Sequence, residues 1–175
     1  MFEFNNFQMK IIQPKDLDPY YYFGFCDISE ETRYFTGTTE HFTKEQIESY
    51  ILNISEDTTR YDFLISEGDE IVGEAVLSDI NGNNCHFRIA IFNKKNFSSG
   101  IGFSATKILL DFAFSELDLE VVELEVFPFN ERGIALYSKL GFNLVDQVID
   151  DEAKEPYREI LIMRLNKENY VRSLN

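Results

Sequence analysis

NERGIALYSKLGF, residues 130–142, is the stretch on which the reading of this 175-residue chain turns. Asparagine is a favoured N-cap, and a glycine at 141 suits the position just past a helix end, so the segment predicts a short helix from Asn130 to Leu140. Phe129 and Ile134 are spaced for a hydrophobic staple at its start. Asn130, Ile134 and Tyr137 fall at i, i+4 and i+7, which puts an amide and a phenol on one helical face. That pair is either the start of a site, or a cap and a core aromatic whose hydroxyl is satisfied inside the fold.

Working outward, Val121 to Phe127 alternates Val121, Glu123 and Glu125 against Val122, Leu124 and Val126, the pattern of a half-buried strand. Before it, NFSSGIGFSATKILLDFAF (96–114) places Gly100 and Gly102 ahead of a stripe formed by Ala105, Ile108, Leu109 and Phe112. A helix that opens on glycines offers unpaired N–H groups with no side chains in the way, and its dipole adds partial positive charge there. Such an end binds phosphate. The plainer reading is a tight strand-to-helix turn. Gly100, Gly102 and Ala105 also fit G-x-G-x-x-A. However, about seven residues separate them from the preceding strand, and Phe127-Pro128-Phe129 stands where the ribose-binding acid belongs, which leaves a dinucleotide site only as an alternative. No G-K-[ST] follows, so a P-loop is excluded.

The rest of the chain interleaves strands and helices without repeats or a linker rich in Pro, Gly or Ser. Met9 to Ile12 predicts a strand, and a helix beginning near Asp16 to Asp18 carries the aromatic run Tyr20 to Phe25. Thr43-Lys44-Glu45-Gln46 is a capping box that opens a helix to about Ile54. Tyr61 to Ser66 and Glu70 to Ser78 read as a hairpin around Gly68, a turn at Asn81 to Asn84 leads into a strand from Cys85 to Phe92, and Tyr157 to Leu165 closes the chain as a further strand. The fold class is mixed α/β, in one domain spanning residues 1–175.

There are 31 acidic and 16 basic residues, a formal charge of −15, which disfavours nucleic acid and anionic membrane as partners. It suits a cationic substrate or serves simply as a solvated surface. No apolar run reaches the length of a membrane span and the first residues do not read as a signal peptide, so the expected location is the cytoplasm. Cys26 and Cys85 lie far apart without metal-ligand spacing; both read as free thiols and no metal is expected.

Taken together, Phe97-Ser98-Ser99-Gly100-Ile101-Gly102 and the segment 130–142 resemble the GNAT N-acetyltransferase superfamily. Its acetyl-CoA site pairs a Q/R-x-x-G-x-G/A loop with an N-x-x-A-x-x-x-Y-x-K-x-G-F helix. The chain departs at two positions, Phe97 for the usual Gln or Arg and Gly133 for the usual Ala. Its length, its closing strand and the run after Asp111 resemble the branch that holds ribosomal-protein N-terminal acetyltransferases and spermidine/spermine acetyltransferases. The resemblance implies a mostly antiparallel sheet flanked by helices, with a splayed central strand pair holding CoA. Pantetheine would bond backbone groups of Ile89, Ala90 and Ile91, pyrophosphate would sit on the N–H groups of Ser98, Ser99, Gly100, Ile101, Gly102 and Phe103, and Asn130 would face the pantetheine.

An amine of pKa near 10.4 is only about 0.04% neutral at pH 7, so its attack on a thioester benefits from a base, while the departing thiolate needs a proton. The resemblance gives the donor role to Tyr137. For the base, His86 is a candidate on the strand before the loop, on the face of Arg88 and Ala90; Glu74, on a strand that Asp79 closes, is the other, and a water relay serves equally. The implied reaction is direct acetyl transfer to a small-molecule or peptide amine. A homodimer is left open, as is a CoA-binding sensor of the same fold without turnover.

Overall fold

A computed structural model describes residues 1–4 and 6–173. Eight strands form one sheet: β1 (Phe2–Phe4), β2 (Phe7–Ile11), β3 (Tyr61–Glu67), β4 (Glu70–Asn81), β5 (Asn84–Ile91), β6 (Val121–Val126), β7 (Asn143–Ile149) and β8 (Glu159–Asn166), in the order β1-β2-β3-β4-β5-β6-β8-β7. Every neighbouring pair is antiparallel except β5 and β6. The expected mixed, mostly antiparallel sheet is what forms.

Hairpin chemistry sets the central register. Gly68 and Gly82 take positive φ of 58° and 59° in the turns that join β3 to β4 and β4 to β5, a conformation glycine adopts without a Cβ penalty. Along β3, alternation sends Phe63 and Ile65 to one face and Leu64 to the other. Helices cover both faces. On the Leu64 side lie α1 (Leu17–Tyr21) and α3 (Lys44–Glu56), which contribute Tyr20, Ile47 and Ile51; α2 (Glu30–Thr36) lies between them in sequence. On the Phe63 side lie α4 (Ile101–Asp111) and α5 (Glu131–Lys139), which bury Ile101, Ala105, Leu109 and Tyr137. A final helix, α6 (Lys167–Ser173), follows β8.

The capping box opens α3 as the sequence predicts: the Gln46 N–H donates to Thr43 Oγ1 at 3.3 Å, and the Thr43 N–H donates to Gln46 Oε1 at 2.7 Å. The segment carrying the aromatic run Tyr20 to Phe25 is less regular than a single helix. It begins as α1 and widens into a π turn over Tyr22–Cys26. Cys26 is exposed, Cys85 is buried, and both are free.

The feature that makes the site is a short pairing. β5 and β6 run parallel only over Asn84, Cys85 and His86 against Val121, Val122 and Glu123. Beyond His86 the strands diverge, and the far half of β5 presents an open edge. The Phe92 N–H donates to Val72 O, and the register of β5 on β4 is constant from Ser78–His86 to Gly73–Ile91. By antiparallel alternation the backbone of Ala90 therefore faces β4, whereas Ile89 and Ile91 turn theirs into the gap.

Candidate active site

Three cavities meet around this gap. The first, of about 540 Å³, lies between β5, the loop before α4, and α5; Ile89, Ala90, Ile91, Ser98, Gly100, Gly102, Phe103, Asn130 and Tyr137 all line it. The sequence thus brings together nine of the twelve expected site residues. Ser99 is exposed and turned back on its own loop, its hydroxyl donating to Asn96 O at 2.7 Å, and Ile101 is buried in the core at 2% exposure. His86 lines a neighbouring cavity of about 290 Å³ that also includes Asn130 and Tyr137.

The glycine end of α4 is bare. Gly100 is its N-cap with φ 88°, no side chain caps it, and hydrogen bonding begins with the Ser104 N–H to Gly100 O at 3.0 Å. The N–H groups of Ile101, Gly102 and Phe103 therefore lack intrahelical partners. A Cβ on Gly100 would meet nothing within 4 Å, and one on Gly102 would reach Leu136 Cδ1 at 3.4 Å, so the approach to these donors is open. Asn96 Nδ2 is buried beside them without a partner among the described residues. Arg132 and Lys139 line the same cavity, and no ion pair joins either to a carboxylate among the described residues. Open donors, an orphaned amide and two unpaired cations form a setting for an anionic, phosphate-bearing ligand, and they fit the group the fold implies.

On α5, the Asn130 side chain accepts from the Gly133 N–H at 3.0 Å and so caps its own helix. About two turns further, the Tyr137 ring is 8% exposed, edge-on to Phe87 and Phe142. Its hydroxyl has no hydrogen-bond partner among the described residues, and it opens on both the first cavity and the one that holds His86. Burial pushes its pKa up to about 12, which keeps the proton on the phenol at any working pH.

A second cavity, of about 610 Å³, adjoins the first at Thr36 and Ala90. Tyr20, Phe25, Phe42, Tyr50 and Phe92 contribute its rings; Arg33, Arg88, Glu40 and Glu74 contribute charges of both signs. Glu74 is fully engaged. Oε1 pairs with Arg88 at 2.8 Å, and Oε2 accepts from the Tyr20 hydroxyl. The lining is balanced in charge although the chain as a whole carries −15.

Several lining residues carry no role in the sequence reading. Thr32, Phe35 and Thr36 come from α2, a helix not foreseen; the Thr32 hydroxyl donates to Ile91 O at 2.7 Å and pins α2 against the open edge of β5. The signal for it was Ser29, which accepts from the Thr32 N–H as N-cap, with Gly37 left-handed at the other end. Arg132 lies inside the opening motif. Its signal was positional, since a cation in the first turn opposes the helix dipole.

A fold with a bare glycine helix end facing a strand pair that parts after three residues defines an acyl-CoA-type transferase class. The chain belongs to the GNAT acetyltransferase family: the family model for the acetyltransferase (GNAT) domain matches residues 8–143. It is accordingly an N-acetyltransferase. The uncharacterized N-acetyltransferase p20 of Bacillus licheniformis is 25% identical over 121 residues, 68% of either chain. Acetyltransferase PseH of Campylobacter jejuni is 26% identical over 110 residues, covering 62% of this chain and 68% of the relative. Among solved structures, ribosomal-protein-S5-alanine acetyltransferase from Vibrio fischeri aligns with a TM-score of 0.83 at 17% identity, over 97% of each chain. Spermidine N-acetyltransferase from Vibrio cholerae, solved with CoA and spermine, aligns at 0.81 and 16%, over 95% of this chain and 98% of the other. At such identities these structures establish the fold.

Proposed function

We propose that the protein transfers an acetyl group directly from acetyl-CoA to a primary amine, a small molecule or a peptide N-terminus. The observation that carries the reading is the Tyr137 hydroxyl, which opens on the gap without a protein partner although its ring is buried. A purely structural tyrosine would satisfy that hydroxyl inside the fold.

Bound acetyl-CoA supplies the activated acyl group. The chain's own residues then have separate tasks. The N–H groups of Ile101, Gly102 and Phe103 receive phosphate, the backbone of Ile89 and the N–H of Ile91, whose carbonyl Thr32 already holds, orient the pantetheine along β5, and Asn130 holds the helix end that faces it. Tyr137 gives its proton to the leaving sulfur. The acceptor amine enters from the second cavity, past Ala90, along the rings of Tyr20, Phe25, Phe42 and Tyr50, while Glu74 stays paired with Arg88 and Tyr20 in the cavity wall. His86 takes up the amine proton from the third cavity, directly or through water. Cys85 plays no covalent part, because burial pushes its thiol up to about 12 and holds it un-ionised.

Release of free CoA thiol in the presence of an amine panel tests the activity. Polyamines, amino acids and short peptides with free N-termini form that panel, and turnover with at least one is expected. Binding of acetyl-CoA with no thiol release for any amine would replace the enzyme reading with a sensor; preference for a nicotinamide cofactor would return the dinucleotide alternative. In a folded Gly102→Val variant, whose added side chain meets Leu136 and narrows the approach to the helix end, acetyl-CoA affinity is expected to fall at least about tenfold.

A further inference from the structure

Phe97 stands where the family usually carries glutamine or arginine, and the cation absent from that position is found lying on top of it. The Arg132 guanidinium is 3.8 Å from the centroid of the Phe97 ring and 5.2 Å from that of Phe35. Stacked on two rings, it is held in place before any ligand arrives.

Neither charge nor helix geometry explains that placement. Arg132 lies in the first turn of α5, where the positive end of the dipole disfavours it. Among the described residues no carboxylate pairs with it, in a chain with nearly twice as many acids as bases. A second observation points the same way. Asn96, one residue before Phe97, keeps its buried Nδ2 without a partner in the same cavity. A buried donor left open costs about 1–3 kcal/mol unless something accepts from it. With the free N–H groups of α4, these gather several unpaired donors in one cavity.

We infer that Arg132, seated on Phe97 and Phe35, supplies the side-chain contact to the phosphates of acetyl-CoA that residue 97 does not, with Asn96 as a second donor. Phe97 thereby changes from ligand to platform: the contact is relocated from the loop to α5. This rests on the acetyl-CoA reading above.

Calorimetric titration of the full chain with acetyl-CoA tests it. Arg132→Gln is expected to weaken binding at least about tenfold and to flatten its salt dependence, because an exposed arginine meeting a phosphate contributes a charge-assisted contact. Lys15→Gln, an exposed cation remote from the cavity, should leave the affinity unchanged and so controls for net charge. In the Arg132→Gln background, Phe97→Gln returns the family's usual contact and should recover several-fold of the loss, which no merely structural role of Arg132 predicts. Binding by Arg132→Gln within about twofold of wild type overturns the inference while the acetyl-CoA reading stands, as does a double variant no better than Arg132→Gln alone. A wild-type protein that does not bind acetyl-CoA removes that reading and this one with it.

Discussion

The side-chain amide of Asn130 fills the space that a Cβ on Gly133 would claim: such a carbon would stand 2.9 Å from Nδ2 and 3.0 Å from Oδ1. The glycine in place of the family's alanine is therefore matched to the way Asn130 caps the helix. Gly133→Ala gains about 1 kcal/mol of helix propensity and gives up a cap of about the same worth, so the melting temperature should hardly move. Acetyl-CoA affinity should fall, since the displaced amide lines the cavity. Affinity unchanged within twofold would show that Asn130 does not touch the ligand.

Tyr137→Phe removes one oxygen and keeps the ring between Phe87 and Phe142. Stability and acetyl-CoA affinity are expected to stay near wild type. General acid catalysis is worth roughly 10²–10⁴-fold, so the single-turnover rate should drop at least about a hundredfold. Single turnover avoids masking by slow product release. A variant that acetylates within about threefold of wild type assigns the phenol to packing alone.

Glu74→Gln separates a structural carboxylate from a catalytic one. Both oxygens of Glu74 are occupied, by Arg88 and by the Tyr20 hydroxyl, which leaves none for an incoming amine. The substitution should cost about 1–2 kcal/mol, at the low end for a buried pair because half of the Arg88 side chain is exposed. The pH profile of kcat/KM should keep its shape. Loss of its acidic limb would make Glu74 the base.

Stability should decline in alkali through the buried tyrosines and Cys85, since a surface tyrosine of equal pKa folded and unfolded contributes nothing. Burial raises Tyr137 to about 12 from 10.0 and Cys85 to about 12 from 9.0, and raises Tyr20 and Tyr50 as well. Each group is held neutral in the fold, so its stabilisation is complete below the unfolded pKa and is lost as pH climbs through the folded one. Thermal melts should be flat near pH 8 and fall steeply from about pH 9 to 12. Tyr137→Phe should reduce the slope.

The parts of the chain that were readable are those where local chemistry and final environment agree. Thr43 and Gln46 cap each other because that box needs only four residues, and Val122, Leu124 and Val126 face inward because β6 has one wet side and one dry. The strand β7 escaped notice for the opposite reason. It is an edge with every residue exposed and a register shift between Leu144 and Asp146, so no period of two survives in Leu144, Val145, Val148 and Ile149. Nine site residues reach the first cavity because they belong to two local motifs and one strand. Asn96 was invisible, and Arg132 showed only as a cation misplaced in a first helical turn, because the significance of both lies in what fails to pair with them, a property of three-dimensional surroundings. The backbone direction of Ala90 likewise depends on its register against Glu74.

The parting of β5 and β6 makes the sheet an unfinished one, in effect two panels joined along three residue pairs. β1 to β5 form one panel; β6, β8 and β7 form the other. On the function proposed above, a pantetheine chain laid along Ile89 and Ile91 would take the place of the missing rungs, and the cosubstrate would act as a clasp between the panels. Amide exchange at Ile89 and Ile91 should slow when CoA is bound, and the spring of the joint should stiffen with it. The cosubstrate would then brace the panels on which the transfer geometry depends.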